Sequence, residues 1–241
     1  MVVDGKKIAE EVIAGLGNTL RGKRLGLVVG DDDPATESFV KIKSRAAERL
    51  GVAVVRGELQ KLIKTCDGII VQLPHPKAEE ILAALPGKLD VDAIGQHPVV
   101  NTPVVEAISE IFVRTGVSVR GKRAVVIGAG RLVGKPAAAW LTSLGARVSV
   151  ITQTHGSLEE LRDADIVISG AGEPGLITPL MLKRGVVLID AGTSEAAGKL
   201  MGDANPGCAN VASVFTPVPG GVGPIAVAMI FKNLFTLANA K

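Results

Sequence analysis

Residues 124–152 read AVVIGAGRLVGKPAAAWLTSLGARVSVIT, an apolar run, a glycine-rich turn, an alanine-rich stretch and a second apolar run. This order predicts a β-strand, a turn, an α-helix and a parallel β-strand. Glycine lets the backbone turn tightly and approach a pyrophosphate, which the free N–H groups and positive dipole end of the helix then bind. The stretch therefore predicts a Rossmann-like dinucleotide-binding domain. Its predicted cofactor-binding residues are Gly128, Ala129, Gly130, Arg131, Val133 and Gly134.

The end of the second strand indicates which dinucleotide binds. NAD sites usually carry Asp or Glu there to bind the ribose hydroxyls, whereas this chain continues with Thr152 and Gln153 and has no acid at this point. A 2′-phosphate would meet hydroxyl and amide donors and no negative charge, and Arg131 or Arg147 would add positive charge. We therefore expect NADP in preference to NAD. Thr152, Gln153 and, further along the chain, Thr193 are the predicted contacts.

The rest of the chain alternates apolar runs with Ala- and Leu-rich stretches. The apolar runs are continuous, as in parallel strands covered on both faces, so the chain is predicted to be an α/β protein. The predicted strands are 25–30, 68–73, 124–128, 147–152, 166–170 and 186–191. The predicted helices are 35–50, 77–85, 102–115, 132–144, 157–162 and 225–240.

The position of the glycine-rich turn indicates two domains. A new mononucleotide-binding unit begins after residues 116–122, because a fresh strand, turn and helix follow there. We predict a first domain at 1–115, a dinucleotide-binding domain at 116–224, and a C-terminal helix within 225–241 that packs back onto the first domain. A chain of 241 residues, 47% of them hydrophobic, is long enough to give each domain a core.

Composition excludes several classes of function. The net charge is only +3, aromatic residues make up 2%, and Tyr is absent, so a nucleic-acid partner is not expected. The N-terminus does not resemble a signal peptide, and the longest apolar runs, of about seven residues, are too short to span a membrane. Cys66 and Cys208 form no CxxC and indicate reduced thiols in the cytoplasm. No metal site is expected from His75, His97 and His155, whose spacing is unsuitable.

Outside the dinucleotide-binding domain, a few side chains are candidates for substrate chemistry. Phe39 and Lys43 are four residues apart on a predicted helix and share a face, so a ring would lie beside an ammonium group. Gln72 ends a predicted strand, where ligands collect in open α/β sheets. Asp90 and Asp92 alternate in a segment that, if extended, turns both side chains to one face. An ordinary solvated helix lysine remains the alternative interpretation of Lys43.

Between residues 31 and 230 the chain contains, in order, DPATESFVKIK, DGIIVQLPHP, KLDVDAI, VVIGAGRLVGKP, VVLIDAG, GDA and TPVPGGVGP. In these motifs and their order it resembles the methylenetetrahydrofolate dehydrogenase/cyclohydrolase family. The resemblance implies a substrate domain and a Rossmann-like domain with the folate in the cleft between them. It also implies oxidation of 5,10-methylenetetrahydrofolate with NADP, hydrolysis of the methenyl product to 10-formyltetrahydrofolate, and a homodimer.

The resemblance further implies roles for individual residues. Lys43 is the catalytic group, Gln72 is its hydrogen-bond partner, Asp92 binds the pterin end, and Phe39 stacks on the folate. Proton transfer at a folate nitrogen, which ring opening requires, suits a lysine. The loop expected to line the folate and the nicotinamide includes Pro217, Pro219, Gly220 and Gly221.

The chain departs from the family pattern in three places. Phe39 stands where the family usually has Tyr, so stacking survives without the hydroxyl, and hydrolysis is expected to suffer more than hydride transfer if that hydroxyl orients the lysine. The usual Gly-Arg-Ser turn reads Gly-Ala-Gly at 128–130, and Arg131 is the hypothetical substitute for the missing arginine. The chain is also short before Gly68 and around 96–101, which predicts a reduced substrate domain.

Three alternative functions stay open on the sequence. The departure at Phe39 is compatible with a dehydrogenase whose cyclohydrolase activity is weak or absent. A non-catalytic folate- or nucleotide-binding protein is disfavoured by the joint presence of Lys43, Gln72 and Asp92. A different two-domain dehydrogenase, such as one acting on shikimate, is disfavoured by TPVPGGVGP.

Overall fold

A computed structural model of the chain describes residues 1–30, 34–196 and 199–240. Asp33, the first residue of DPATESFVKIK, lies outside the described residues. The helices are α1 (Gly5–Leu16), α2 (Pro34–Arg49), α3 (Leu59–Thr65), α4 (Ala78–Ala84), α5 (Pro103–Thr115), α6 (Gly134–Ser143) and α7 (Val222–Asn239). The strands are β1 (Arg24–Val28), β2 (Ala53–Arg56), β3 (Gly68–Val71), β4 (Arg123–Ile127), β5 (Arg147–Ile151), β6 (Ile166–Ser169), β7 (Val187–Asp190), β8 (Ser194–Ala196), β9 (Lys199–Met201) and β10 (Val214–Phe215).

The chain divides into two compact units, each with its own parallel sheet. The three-stranded unit comprises Ala9–Pro103 and Ala226–Lys241, and the five-stranded unit comprises Met1–Ile8 and Val104–Ile225. This division differs from the boundary expected after residue 115, because the first eight residues and nearly all of α5 belong to the five-stranded unit.

Contacts of α5 and of the N-terminal segment account for that difference. Phe112 on α5 packs against Trp140 on α6, with ring centroids 5.7 Å apart. The N-terminal segment pairs with β10, since the Val3 N–H donates to the Phe215 carbonyl (2.8 Å) and the Phe215 N–H donates to the Met1 carbonyl (2.9 Å). The apolar pattern of the sequence shows that these segments are buried, but it does not show against which sheet they pack.

The sheet of the three-stranded unit has the order β2-β1-β3, with all strands parallel. β3 is buried along its whole length. Val28 at the end of β1 pairs with Val71 at the end of β3, so the residues that follow these strands emerge at the same edge. Gln72 follows β3 at this edge, where ligands bind in parallel α/β sheets.

The C-terminal helix α7 supplies much of the core of the three-stranded unit. Its 18 residues have a mean hydropathy of 1.4, enough in length and composition to cross a membrane, but half of the helix is buried. Five of its buried side chains belong to one cluster with residues of α1, β1 and α2, as in a core helix of a globular domain. Those of α7 are Ala228, Ile230, Phe231, Leu234 and Leu237.

The sheet of the five-stranded unit has the order β10-β7-β6-β4-β5, again all parallel. β6 and β7 are buried throughout, as expected for strands covered on both faces. The predicted strand, glycine turn, helix and strand are observed as β4, residues 128–133, α6 and β5. The α/β fold class and the Rossmann-like arrangement predicted from the sequence are confirmed.

Several elements were not identified from the sequence. Those missed are short, or lack the continuous apolar run by which buried strands are recognised; they are α1, β2, α3, the antiparallel pair β8 and β9, and β10. The stretch 157–162, predicted as an α-helix, is part of a 3₁₀-helix, Leu158–Asp163. Ser157 and Glu160 form a capping box at its start, and so short a segment readily takes the tighter 3₁₀ form.

Candidate active site

α2 and β3 bring Lys43 and Gln72 together. The Lys43 ammonium donates to Gln72 Oε1 at 2.8 Å. Gln72 is buried directly after β3, its own backbone N–H donates to Val28, and its Nε2 donates to the Leu73 carbonyl at 2.9 Å. Because the amide nitrogen is engaged elsewhere, the amide oxygen is held toward the lysine. A neutral acceptor of this kind orients an ammonium group and adds no negative charge beside it.

Asp92 is the acid that faces this lysine. It is largely buried, and burial raises the pKa of its carboxyl group. The Lys43 ammonium opposes that rise in pKa, and the nearby Asp90 carboxylate adds to it. The structure thus places an acid, a cation and a neutral amide in one cluster. In such a cluster the amine can transfer a proton to a ligand, and the carboxylate can accept hydrogen bonds from the ligand's N–H groups.

Asp90 and Asp92 do not lie on one continuous extended segment as the sequence suggested. Asp90 forms an isolated bridge with Ile69, and the chain then turns at Ala93, which has φ 55°. Asp90 Oδ2 accepts the Gly95 N–H at 2.7 Å, so this carboxylate closes its own loop. Burial raises the pKa of Asp90 and outweighs the backbone N–H groups that lower it, that of Gly95 foremost.

Phe39 presents an aromatic ring on the same helix as Lys43. It is four residues before the lysine on α2, so the two side chains project from neighbouring positions on one helix surface. Half of Phe39 is exposed, which leaves ring surface available for a flat ligand to stack on.

The turn after β4 has the geometry of a dinucleotide site. Gly128 has φ +94°, and a Cβ on it would lie 2.7 Å from the Gly170 carbonyl. A Cβ on Gly134 would overlap the Gly128 carbonyl, so this glycine permits close packing of the α6 start on the turn. Gly130 differs, since apart from Gly130 and its two chain neighbours no atom of the described residues lies within 4 Å of the place that a Cβ would take. Its glycine therefore leaves room for a ligand to approach the backbone.

The other predicted turn residues have different surroundings. Ala129 is exposed and Arg131 is half-buried. Val133 packs against the loop after β6, since a Cβ on Gly170 would lie 2.6 Å from Val133 Cγ1. Val133 thus supports the turn from beneath, while the turn itself faces outward.

β5 ends in a tight turn whose side chains are polar. The Thr152 N–H donates to the His155 carbonyl at 2.8 Å, and Gln153 and His155 are exposed. Arg147, the other arginine considered for a 2′-phosphate, begins β5, and its guanidinium donates to the Gly121 carbonyl at 3.4 Å. The strand separates Arg147 from this edge by roughly 13 Å, so the proposed contribution of Arg147 is wrong.

Asp203 organises the loop after β6 and was not identified as a site residue from the sequence. It is fully buried and accepts from the Ser169 hydroxyl (2.6 Å), the Ala171 N–H (2.8 Å) and the Glu173 N–H (2.8 Å). The sequence feature that could have identified Asp203 is its place as an acid between small residues in GDA. A carboxylate buried at such a position needs N–H or O–H donors around it.

Asp190, the last residue of β7, does the same for the next loop. It accepts the N–H groups of Gly192 (3.0 Å), Asp203 (3.2 Å) and Ala204 (2.8 Å), and its own N–H donates to the Thr216 hydroxyl at 2.7 Å. Burial raises the pKa of Asp190 to about 6. Among residues 1–30, 34–196 and 199–240, no group of three His, Cys, Asp or Glu side chains is placed to hold a metal ion.

These loops carry the remaining predicted residues at the same edge of the five-stranded sheet. Thr193 is exposed and directly follows Gly192. The loop Pro217–Gly221 is closed by the Gly221 N–H, which donates to the Pro217 carbonyl at 2.7 Å, and the Gly5 N–H donates to Gly220 at 2.9 Å. Pro219 is exposed at its tip. The loop is thus a rigid surface beside the strand ends, as its Pro and Gly content predicts.

Comparison with known proteins gives a consistent result. The family model described as tetrahydrofolate dehydrogenase/cyclohydrolase, NAD(P)-binding domain, matches residues 87–241. A Staphylococcus epidermidis protein named bifunctional protein FolD is 35% identical over 273 residues, covering 96% of this chain and 94% of the relative. That alignment is longer than the 241-residue chain, so the relative carries residues that this chain lacks.

Solved structures are similar over nearly the whole chain. One is the bifunctional FolD methylenetetrahydrofolate dehydrogenase/cyclohydrolase of Campylobacter jejuni, with a TM-score of 0.92 and 29% identity over 99% of this chain and 98% of that one. Another is the Trypanosoma brucei FolD enzyme complexed with NADP and an inhibitor, with a TM-score of 0.86 and 28% identity over 99% and 97%.

Proposed function

Because the chain belongs to the tetrahydrofolate dehydrogenase/cyclohydrolase family, we propose that it catalyses both reactions on the one-carbon unit of tetrahydrofolate. It oxidises 5,10-methylenetetrahydrofolate to the methenyl form with NADP and hydrolyses that product to 10-formyltetrahydrofolate. The observation that carries this function is the hydrogen bond of 2.8 Å between Lys43 and Gln72, with Asp92 in the electrostatic field of the same lysine.

In this proposal Lys43 moves the proton that hydrolysis requires. Water adds to the methenyl carbon, and the bond from that carbon to the ring nitrogen N5 then breaks as N5 takes up a proton. The second proton of the water leaves to solvent. Gln72 fixes the lysine within reach of the reacting atoms and leaves it free to give and regain a proton, because the amide is neutral.

Asp92 binds the pterin end. The amino group and ring N–H of a pterin form a row of donors, which a carboxylate accepts in a paired, charge-assisted arrangement. Burial raises the pKa of Asp92 and Lys43 opposes that rise, so the bound donors would add to the lysine in favouring the charged form. Phe39 stacks on the folate through the exposed half of its ring.

NADP, when bound, accepts the hydride from the methylene carbon. The turn 128–134 fits its pyrophosphate, because Gly130 leaves open space beside the backbone and the positive dipole end of α6 lies at this turn. Thr152, Gln153 and Arg131 would contact the 2′-phosphate. The relative from Trypanosoma brucei is described with NADP, which supports NADP over NAD for this chain.

The loops after β7 and β10 complete the cofactor side. Thr193 and the loop Pro217–Gly221 line the nicotinamide in this proposal. Two observations support this placement. The Asp190 carboxylate accepts the Gly192 N–H in the loop after β7, and the loop after β10 is closed by the hydrogen bond from the Gly221 N–H to the Pro217 carbonyl. Hydride transfer depends mainly on holding two flat molecules in one geometry, which rigid loops favour.

We assign the folate to the three-stranded unit and the dinucleotide to the five-stranded unit, and we propose a cytoplasmic homodimer. Free Cys66 and Cys208 support a reducing compartment. Exposed apolar side chains on the five-stranded unit support self-association there, since isolated monomers seldom expose such surface in quantity. They include Leu180, which is 91% exposed, Leu200 and Met201.

Two absorbance assays on the purified protein test the function. The first follows methenyl formation from methylenetetrahydrofolate with NADP and, separately, with NAD. The second follows loss of methenyltetrahydrofolate above its spontaneous rate. Both activities are expected, with a lower KM for NADP. Oxidation without hydrolysis would instead support a dehydrogenase alone, and Phe39→Tyr would then be expected to raise hydrolysis. Absence of both activities would refute the proposal.

A further inference from the structure

A buried asparagine on α7 holds the backbone beside Asp92. Asn233 is only 4% exposed in a helix whose neighbouring side chains form the apolar core. Its Nδ2 donates to the Val91 carbonyl and to the Asn101 carbonyl, both at 2.9 Å. A buried amide among apolar side chains is unfavourable unless it is hydrogen-bonded. Here one amide nitrogen donates both of its N–H groups to backbone carbonyls.

The two carbonyls lie at the two ends of one segment. Val91 immediately precedes Asp92, and Asn101 comes two residues before the start of α5 at Pro103. The amide of Asn233 therefore closes the segment 92–101 as a loop with both ends fixed on α7. Asp90 adds one further tie within it, through the Gly95 N–H.

The side chain of Asp92 depends on this backbone for its position. Within the part of the chain that the structure describes, no hydrogen bond holds the Asp92 carboxylate, which interacts with Lys43 and Asp90 only electrostatically. The position of a side chain that has no hydrogen bond of its own depends mainly on the direction of its backbone. Correct placement of this carboxylate then relies on the loop ends, and so on the helix that ties them.

We propose that Asn233 is a positioning residue, which through its two hydrogen bonds sets the place of the Asp92 carboxylate for the folate. This inference rests on the proposed role of Asp92 as the acid that binds the pterin. Asn233 itself touches the backbone carbonyls and not the reacting atoms. Its loss should therefore weaken folate recognition while NADP recognition, which belongs to the other unit, stays the same.

The test compares Asn233→Ala and the isosteric Asn233→Asp, which removes both donors, with Asn239→Ala as a control. Asn239 lies on the same helix, and its amide donates to the Phe235 carbonyl at the surface. In both Asn233 variants the KM for methylenetetrahydrofolate is expected to rise about tenfold, with an unchanged KM for NADP. Amide hydrogen exchange in the segment 90–101 should accelerate in both and not in the control.

Equilibrium binding of tetrahydrofolate, measured by calorimetry, separates failure of this inference from failure of the proposed function. If the wild-type protein turns over no folate, the binding measurement still decides between the variants. Faster exchange at 90–101 with unchanged folate affinity would show that the loop does not position Asp92, and so would overturn the inference. Variants that lower Tm but leave both KM values unchanged would also overturn the inference.

Discussion

The raised pKa of Asp190 predicts a pH-dependent loss of stability that Asp190→Asn abolishes. Burial raises this pKa from 3.8 to about 6, which at about 1.4 kcal/mol per pKa unit corresponds to about 3 kcal/mol. The folded protein binds the proton more tightly than the unfolded chain does. This contribution to stability is therefore complete below pH 3.8 and disappears as the pH rises through about 6.

Of those 3 kcal/mol, about 2 kcal/mol is lost between pH 4.5 and pH 7.5, a range suited to denaturant titration. Trp140 is the sole tryptophan and belongs to the same unit as Asp190, so its fluorescence reports unfolding of that unit. The free energy of unfolding of wild type minus that of Asp190→Asn should fall by about 2 kcal/mol across this range.

Subtraction cancels the titration of the groups that do not interact with Asp190, and Asp163→Asn, on an exposed carboxylate, serves as the surface control. Asp190→Asn is also expected to disturb the loop after β7, since an amide cannot accept all three backbone N–H groups as a carboxylate does. A stability difference that stays constant from pH 4.5 to pH 7.5 would refute the assignment of a raised pKa to Asp190.

Three further substitutions test local features of the fold. Ala93 has φ 55°, so Ala93→Gly should stabilise the protein by about 1 kcal/mol in a denaturant titration; a loss of stability would contradict the assigned backbone strain. Gly134→Ala should lower Tm and weaken NADP binding, because the new Cβ overlaps the Gly128 carbonyl. The Cβ of Gly130→Ala has room in the protein, so this variant should weaken NADP binding at an unchanged Tm. Equal effects of the two substitutions on Tm would disprove that distinction. Arg131→Ala should raise the KM for NADP about tenfold and leave that for NAD unchanged, and an unchanged KM for NADP would remove this residue from the 2′-phosphate site.

The parts of the site that the sequence made readable are those with a short-range signal. The spacing of four between Phe39 and Lys43 places both on one helix face, and a strand end followed by a polar residue identified Gln72. The glycines of the turn are also predictable from the sequence. At some turn positions the strand–turn–helix geometry leaves no space for a Cβ, and at another the missing side chain leaves room for a ligand. In these places local chemistry alone restricts the structure.

The rest depends on contacts between residues far apart in the chain. Asp203 meets Ser169, and Asn233 meets Val91, only after the sheets and α7 have assembled. The unit boundary was misplaced for the same reason, because the ring of Phe112 looks equally apolar whichever unit it packs in. The positive φ of Ala93 could not be predicted either, because alanine, unlike glycine, does not indicate a left-handed backbone conformation.

The role of Lys43 as the group that transfers the proton in hydrolysis can be tested by measuring the cyclohydrolase and dehydrogenase rates of Lys43→Ala beside those of Lys41→Ala. Lys41 is exposed on the same helix and serves as the charge-matched control. Lys43→Ala is expected to lose at least about 100-fold in the rate of hydrolysis and much less in the rate of oxidation, whereas Lys41→Ala should retain both. Hydrolysis by Lys43→Ala at the wild-type rate would contradict this role.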